Sequence, residues 1–299
     1  MDYFFELFFS GLTRGSIYAL IAVGYTMVYG IIELINFAHG EIYMIGAFTA
    51  LVVAGVLTAL GFPALAILAI ALAAAIIWSA AYGFTVEKIA YKPLRGAPRL
   101  SPLISAIGMS IFLQNYVMLA QTPDFLPFPR LMPELPLGPL QNYIGSSGVF
   151  IILATAVSCA GLTLFIKFTR MGKAMRATAQ NSKMAMLVGV NVDRVISLTF
   201  IIGSGLAAVG GVLIASHVGQ INFMIGFLAG LKAFTAAVLG GIGSIPGAML
   251  GGLVLGWTES FATGYVSSDY EDVFAFLLLV LILIFRPSGI LGKPPTQKV

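Results

Sequence analysis

Long apolar runs separated by short polar connections extend over nearly the whole 299-residue chain. Most of these runs reach about 18 residues, the length that a helix needs to cross roughly 30 Å of hydrocarbon. The runs that predict crossings are, in order, 12–32, 42–60, 63–86, 101–121, 147–166, 195–216, 223–242, 245–262 and 270–286. The last is the shortest, because only Val273–Phe285 is free of charged and polar residues.

These runs predict helices rather than strands. In lipid the backbone must satisfy its own hydrogen bonds, so only a helix bundle or a closed barrel can span the bilayer. Barrel strands alternate polar and apolar residues, and Val149–Ile166 and Val273–Phe285 show no such alternation. The composition agrees: 9% of the residues are charged, against about 25% in soluble domains. We therefore predict one all-α domain over residues 1–299, a polytopic transmembrane bundle of eight or nine spans.

The positive charges predict the orientation of the chain. All Lys and Arg residues except Arg14, Arg130 and Lys232 lie in three segments, namely 87–99, 167–194 and the tail from Arg286 onward. Because basic loops stay in the cytoplasm, these segments are predicted to be cytoplasmic, with the acidic N-terminus outside and the C-terminus inside. The same orientation follows if 223–262 is a re-entrant pair rather than two full crossings.

A comparison of the chain with itself reveals matches at a constant offset of 186 residues. The matching pieces are INF at 35–37 and 221–223, AFTA at 47–50 and 233–236, and Gly40 with Gly226. We therefore predict a duplication, with repeat 1 over about 10–120 and repeat 2 over about 195–290. The predicted orientation makes the two copies inverted, as in transporters whose substrate path lies between the repeats.

Polar residues inside or between the spans are the candidate path residues: Asn36, His39, Glu41, Asn222 and Lys232. The stretch ELINFAHGE (33–41) is either a broken helix that lines a path or a short cytoplasmic connection with capping residues. The two asparagines occupy equivalent repeat positions, where they either bind solute or tie helices together. Lys232 falls in mid-span and needs a partner, for which Glu259 is a candidate. His217 is too distant from His39 in sequence to predict a metal site.

The basic segment 167–194 has features beyond those of a simple connection. Met175, Ala179, Met186 and Val190 are spaced so that they can share one apolar helical stripe. Such a helix either lies on anionic membrane lipid or docks on a cytoplasmic partner. The sequence contains no G-x-x-x-x-G-K-[ST] phosphate loop, so ATP hydrolysis by this chain is not predicted. We expect no enzyme activity, no cofactor and no nucleic-acid partner, and any energy would come from an ion gradient or a separate ATPase.

Glycines at spacings of four residues predict close helix packing. They are Gly243, Gly247 and Gly251, and again Gly252 and Gly256. This spacing stacks small residues on one helical face and lets two backbones approach closely. Pro246, just after Gly243 and Ser244, predicts a turn or helix break at that point.

Four stretches resemble the family of branched-chain amino acid ABC permeases of the LivH type. They are GLTRGSIYALIAVGYTMVYGIIELINFAHGEIYMIGAF (11–48), RATAQNSKMAMLVGVNVDRV (176–195), KAFTAAVLGGIGSIPGAMLGG (232–252) and IFRPSGILG (284–292). The resemblance implies a bacterial inner-membrane subunit for uptake of leucine, isoleucine and valine. It also implies four partners: a second related permease, two cytoplasmic ATPase subunits and a periplasmic solute-binding protein.

By this likeness, the segment 167–194 would be the loop that couples the permease to an ATPase, through Arg176, Ala177, Ala179 and Gly189. The chain has Ala177-Thr178-Ala179 where the family commonly has Glu-Ala-Ala. Two other functions stay open: an ABC permease for urea or short amides, and an ion-gradient-driven transporter. The second would need a membrane carboxylate, for which Glu33, Glu41 and Glu259 are the candidates.

Overall fold

A computed structural model describes residues 2–98, 100–138, 141 and 143–292. Its longer helices are α1 (Asp2–Ile32), α2 (His39–Ala59), α3 (Ala64–Val86), α4 (Leu100–Ala120), α5 (Ser146–Phe168), α6 (Arg170–Gln180), α7 (Ser182–Leu187), α8 (Val192–Val218), α9 (Ile225–Gly240), α10 (Ile245–Tyr265) and α11 (Glu271–Phe285). A π-helical turn (Glu87–Tyr91) and a 3-10 turn (Lys92–Leu94) follow α3, and a second 3-10 turn (Ser268–Tyr270) precedes α11. Two short strands, β1 (Leu126–Pro127) and β2 (Gln220–Ile221), pair antiparallel.

A helix lies at each of the nine predicted positions, but fewer of them are full membrane spans than predicted. Within the described part of the chain, six helices are long and apolar enough to cross a membrane. Helices α9 and α10 meet at a bend of 120°, which makes them one broken span or a re-entrant pair. Helix α11 has only 15 residues, fewer than a perpendicular crossing requires. By length and composition the described chain therefore has six or seven candidate spans, where the sequence predicted eight or nine.

The bend between α9 and α10 has a local cause in the sequence. Gly241 and Gly243 adopt φ angles of +103° and +93°, which side chains with a Cβ rarely adopt. Ser244 then caps α10 by accepting a hydrogen bond from the Gly247 N–H at 3.2 Å. Pro246 stands in the first turn of α10, where its missing N–H removes no helical hydrogen bond. The predicted helix break at Pro246 is confirmed.

Two extended connections have the same backbone geometry at the predicted offset of 186 residues. Glu33 after α1 and Gly219 after α8 both have positive φ, at +53° and +77°. The N–H of His39 donates to the Asn36 carbonyl at 3.0 Å, and the N–H of Ile225 donates to the Asn222 carbonyl at 3.4 Å. Each connection thus leaves a long helix by a left-handed turn and starts the next helix with an equivalent hydrogen bond.

Glycines bring the central helices into backbone contact. Helix α10 approaches α1 where Gly252 lies against Ala19 and Gly256 lies against Gly15. On another face of α10, Gly251 approaches the Ala236 carbonyl of α9. The close packing predicted from four-residue spacing is confirmed for α10. Gly243 instead lies in the preceding turn, where a Cβ added to it would have no atom within 4 Å.

The described parts of the three basic segments lie at one end of the bundle. Arg95 after α3 forms an ion pair with Asp193 at the start of α8, and the backbone of Gly289 packs on Gly241 at the end of α9. We name this the inner end, and the opposite end, where the Tyr3 hydroxyl donates to the Gly264 carbonyl at 2.8 Å, the outer end. The side of the membrane that each end faces stays a prediction. Three of the basic residues that support it lie outside the described residues: Arg99, Lys293 and Lys298.

Candidate functional site

The first turns of α2 and α9 cross deep inside the bundle. The His39 ring, at the start of α2, lies directly against Gly24. At 1.5 Å per residue, Gly24 is about 12 Å from the end of α1 at Ile32, so residues 33–38 run back into the bundle. There Gly40 meets Gly226 and Gly230 of α9, and a Cβ added to Gly40 would lie 2.8 Å from the Gly230 Cα. The glycines matched by the sequence offset are therefore in direct contact.

The polar side chains of the first connection are buried at this crossing. Asn36, His39 and Glu41 are each at most 2% exposed. The Asn36 Oδ1 accepts a hydrogen bond from the Tyr91 hydroxyl at 3.1 Å, and Glu41 Oε1 accepts one from the Ser110 hydroxyl at 3.1 Å. Such burial fits a broken helix rather than a surface connection. A role of these residues in lining a path stays a prediction.

Unsatisfied polar atoms remain at the same crossing. Asn36 Nδ2, His39 Nε2 and Glu41 Oε2 have no hydrogen-bond partner among the described residues. Leaving buried polar atoms unpaired costs about 1–3 kcal/mol each, and in native structures such atoms call for an explanation. Ligand groups or water entering between α2 and α9 would satisfy them.

Asn222, the counterpart of Asn36, has a different environment. It is half-buried, and its Oδ1 accepts a hydrogen bond from the Met224 backbone N–H at 3.2 Å. Strand β2, just before Asn222, pairs with strand β1 through Ile221 and Leu126. Asn222 thus stabilises its own turn, whereas Asn36 joins its turn to Tyr91.

Lys232 lies in a cluster of charges toward the outer end. Its Nζ is 3.2 Å from Glu259 Oε1, 2.7 Å from Glu271 and 2.9 Å from Asp272. The predicted partner Glu259 is confirmed, whereas Glu271 and Asp272, at the start of the last predicted run, were not identified as partners from the sequence. Removing charges from water is expensive unless they are paired, and this arrangement supplies that pairing.

The same cluster extends to α1. The Arg14 Nη1 lies 3.0 Å from Glu271 Oε2, and the Tyr18 hydroxyl donates to Glu259 Oε2 at 2.7 Å. Helices α1, α9 and α10 and the start of α11 are therefore joined by ion pairs between two cations and three carboxylates. Tyr18 could not be identified from the sequence, because a tyrosine in an apolar run also suits simple packing.

A second charged network occupies the inner end. Arg95 pairs with both Glu87 and Asp193, and Lys92 Nζ lies 3.1 Å from Asp193. Glu87 is fully buried and also accepts a hydrogen bond from the Ser197 hydroxyl at 2.8 Å. The π-helical turn at 87–91 places Glu87 and Tyr91 in one short element, which joins α8 to the connection at Asn36. Beside it, a cavity of about 790 Å³ separates the end of α1 from the segment after α7.

The predicted coupling segment consists of two helices, α6 and α7, rather than one. Asn181 ends α6 and caps α7 by accepting a hydrogen bond from the Met184 N–H. The proposed stripe was wrong, because Met175 is buried but Ala179 and Met186 are exposed. The extended backbone of Asn181, with φ of −158° and ψ of 104°, separates α7 from α6. What α7 presents instead is a cluster of exposed apolar residues, namely Met184, Met186, Leu187 and Val188.

The four residues predicted to contact an ATPase differ in their surroundings. Arg176 donates a hydrogen bond to the Ile166 carbonyl, so it folds back on the end of α5. Ala177 is half-buried and Ala179 is exposed. Gly189 is exposed, has φ of +85°, and has no atom within 4 Å of an added Cβ. Ala177, Ala179 and Gly189 therefore remain at least partly accessible.

Comparisons with known proteins are consistent over the whole chain. A family model described as "Branched-chain amino acid transport system / permease component" matches residues 7–283. The chain is 51% identical to the high-affinity branched-chain amino acid transport system permease protein LivH of Salmonella typhimurium, over 99% of this chain and 98% of the relative. It is 52% identical to the corresponding protein BraD of Pseudomonas aeruginosa, over 97% and 96%.

One solved structure supports the fold alone. A chain of PsaBC from Streptococcus pneumoniae in complex with Fab superposes with a TM-score of 0.50, covering 93% of this chain and 91% of that chain. The identity is 13%, so this likeness concerns helix arrangement and carries no information on substrate.

Proposed function

Because the chain belongs to the family of permease components of branched-chain amino acid transport systems, we propose that it is one of two permease subunits of a bacterial ABC importer for leucine, isoleucine and valine. The observation that carries this proposal is about 50% identity to such permeases over nearly the full length of both chains. The partners are a second related permease, two cytoplasmic ATPase subunits and a periplasmic solute-binding protein. The chain resides in the inner membrane, with its N-terminus outside and its C-terminus in the cytoplasm.

The packing of the central helices supports an inverted duplication. In repeat 1 the first helix α1 packs on α10, and in repeat 2 the first helix α8 packs on α3. Each first helix therefore contacts the third helix of the other repeat. Together with the equivalent turns at Glu33 and Gly219, this supports two copies related by a pseudo-twofold axis near the contact of Gly40 with Gly226. In transporters built this way the substrate path lies where the interrupted helices meet.

The path residues in this proposal are Asn36, His39, Glu41, Asn222 and Lys232. The first three surround the crossing of α2 and α9, and their unpaired atoms are groups that a polar solute or water would meet there. Lys232 lies toward the outer end on α9, and Asn222 lies in the turn that leads to it. We propose that movement of α2 against α9 opens the crossing during transport.

The segment containing α6 and α7 is the docking element for an ATPase in this proposal. Its exposed apolar residues Leu187 and Val188 are 80% and 78% exposed, and an exposed apolar cluster beside basic residues is a typical contact surface for a protein partner. Asp193, only a few residues further on, contacts Arg95. A displacement of this segment would therefore reach Arg95, then Glu87 and Tyr91 of the π-helical turn, and finally Asn36.

The alternatives receive less support. A gradient-driven transporter needs a free carboxylate in the membrane, but Glu259 is paired with Lys232 and Tyr18. Glu41 retains one oxygen without a hydrogen-bond partner and Glu33 is exposed after α1, so these two are the remaining candidates for such coupling. A permease for urea or short amides shares the fold, and only the substrate assay separates it from the leading proposal.

The test is purification of the tagged protein from its native host in mild detergent, followed by mass spectrometry and by uptake assays in a strain lacking the gene. We expect ATPase subunits and a second permease to co-purify, and uptake of radiolabelled leucine, isoleucine and valine to be lost in the deletion strain and restored by the gene. Recovery of the chain alone, with leucine uptake driven by a proton or sodium gradient, would contradict the importer. Unchanged leucine uptake but lost urea uptake would contradict the substrate assignment.

A further inference from the structure

A cavity of about 230 Å³ opens beside Lys232 toward the outer end. Most of its wall is aliphatic, with contributions from α1, α8, the turn after α8 and α9, including Ile17, Ile214, Ile221, Ile225 and Leu228. Its polar lining consists of Arg14, Tyr18, Gln220 and Lys232, in addition to the phenol ring of Tyr43. The cavity thus combines an apolar chamber with two cations.

The two cations that line this cavity, Arg14 and Lys232, are held in place by ion pairs with Glu271. Glu271 bridges them, with one oxygen 2.7 Å from Lys232 Nζ and the other 3.0 Å from Arg14 Nη1. A guanidinium carries five N–H donors, and the described contacts of Arg14 use one nitrogen for Glu271. Further donors of Arg14, whose side chain is 37% exposed, are therefore available to an anion in the cavity.

The size and chemistry of the cavity define its ligand. Its volume equals about eight waters at roughly 30 Å³ each, which suits one small amino acid but not a peptide. A carboxylate would pair with Arg14, and guanidinium–carboxylate pairs are among the strongest hydrogen-bonded contacts in proteins. The Tyr18 oxygen and the Gln220 amide oxygen can accept hydrogen bonds from an ammonium group, and the aliphatic wall matches a branched side chain.

We propose that this cavity is a binding site for one zwitterionic aliphatic amino acid on its way through the permease. The inference rests on the proposed function, because it names where the substrate of that function binds. Arg14 recognises the carboxylate, while Leu228 and the isoleucines of the wall contact the side chain. Lys232 and the carboxylates around it hold Arg14 and Tyr18 in position.

The test measures binding of L-leucine to the full-length chain in lipid nanodiscs. Leu228→Trp narrows the cavity, and Phe227→Trp is its matched control, since Leu228 and Phe227 are both 46% exposed on α9 but Phe227 lines a different cavity. We expect saturable leucine binding by the unsubstituted chain, at least tenfold weaker binding by Leu228→Trp, and unchanged binding by Phe227→Trp.

A second variant examines the carboxylate contact. Arg14→Gln should weaken leucine binding at least tenfold and remove the preference for leucine over isopentylamine, which lacks the carboxylate. Monodisperse elution of each variant checks that it is folded. Equal weakening by both tryptophan variants, or a retained preference in Arg14→Gln, would overturn the site.

The binding assay tests the site and the uptake assay tests the proposed function, so either can fail while the other succeeds. Absence of saturable leucine binding, with leucine uptake by the complete system intact, would remove this site and leave the proposed function. Leucine binding that responds to Leu228→Trp, with no leucine uptake by the complete system, would support the site and contradict the proposed function.

Discussion

At the residue scale, Gly40 and Gly226 set how closely α2 and α9 approach. Side chains at these positions would collide with the facing backbone, so the crossing exists only because both residues lack a Cβ. Close backbone contact through small residues is the main way that helices associate in membranes, where lipid is as apolar as the side chains. The same contact brings Glu41 beside Gly226, so the two glycines also position a candidate path residue.

We predict that Gly40→Ala lowers stability by about 1–3 kcal/mol, the usual cost of forcing extra atoms into a packed core. Gly55→Ala is the control, because Gly55 is exposed on the same helix with no atom within 4 Å of an added Cβ. At Gly55, alanine should maintain or raise stability through its higher helix propensity. The measurement is the thermal unfolding midpoint of the purified proteins in detergent. Equal midpoints for the two variants would argue against the close crossing.

At the element scale, the connection from α7 to α8 combines an exposed apolar helix with a glycine in the left-handed conformation. Gly189 ends α7 with φ of +85°, and its N–H donates to the Met186 carbonyl at 3.0 Å. This turn directs the chain from the exposed residues of α7 back to Asp193 and its partner Arg95. The geometry of one glycine therefore relates the surface that we propose as the ATPase contact to the inner charged network.

We predict that Gly189→Arg reduces leucine uptake at least tenfold while the protein still inserts in the membrane. A left-handed residue with a Cβ costs about 1–3 kcal/mol, and the arginine adds bulk and charge to the docking surface. Gly61→Arg is the matched control, since Gly61 is also exposed, has φ of +76° and has no atom within 4 Å of an added Cβ. It lies between α2 and α3, away from the docking segment, and should retain uptake.

Immunoblots of membrane fractions would measure the amount of each variant, and ATP-dependent uptake would measure function. If Gly189→Arg supported uptake at the level of Gly61→Arg, the docking role of this segment would be wrong. If both variants lost uptake at normal membrane levels, backbone strain rather than docking would be the cause.

At the scale of the whole molecule, the two charged networks lie at opposite ends of the bundle. The cluster of Lys232, Arg14 and Glu271 joins the outer halves of α1, α9 and α10 to the start of α11. The network of Glu87, Arg95 and Asp193 joins α3 to α8 at the inner end. Between them α2 and α9 cross at Gly40, Gly226 and Gly230, the contact whose movement we propose for transport.

The predicted orientation is tested with single cysteines, because the only native cysteine, Cys159, is fully buried. In a Cys159→Ser background, we expect Ser268→Cys to react with a membrane-impermeant maleimide applied to the periplasmic side of cells. Ser182→Cys should react only after the membrane is opened. Both serines are exposed in the chain, so differences in reactivity report the side of the membrane. The reverse pattern would invert the assigned topology.

The sequence by itself determined the membrane class, the positions of the nine helices and the family. Apolar runs and glycine spacing are local properties of the sequence, and each indicates how one segment contacts lipid or a neighbouring backbone. The sequence matches at an offset of 186 residues were also readable, and two of the matched residues, Gly40 and Gly226, are in contact in the structure. The need of Lys232 for an ion-pair partner was also predictable, because an unpaired charge in lipid is unfavourable however the helices pack.

Only the tertiary structure decided which residues complete the sites. Whether α9 and α10 are separate spans depends on a bend at two left-handed glycines, which hydropathy does not register. The Tyr91 hydroxyl donates a hydrogen bond to Asn36, which is 55 residues away in sequence. Glu271, at the start of α11, contacts both Arg14 and Lys232. Such contacts depend on the relative positions of distant helices, and a one-dimensional pattern of polar and apolar residues carries no information on those positions.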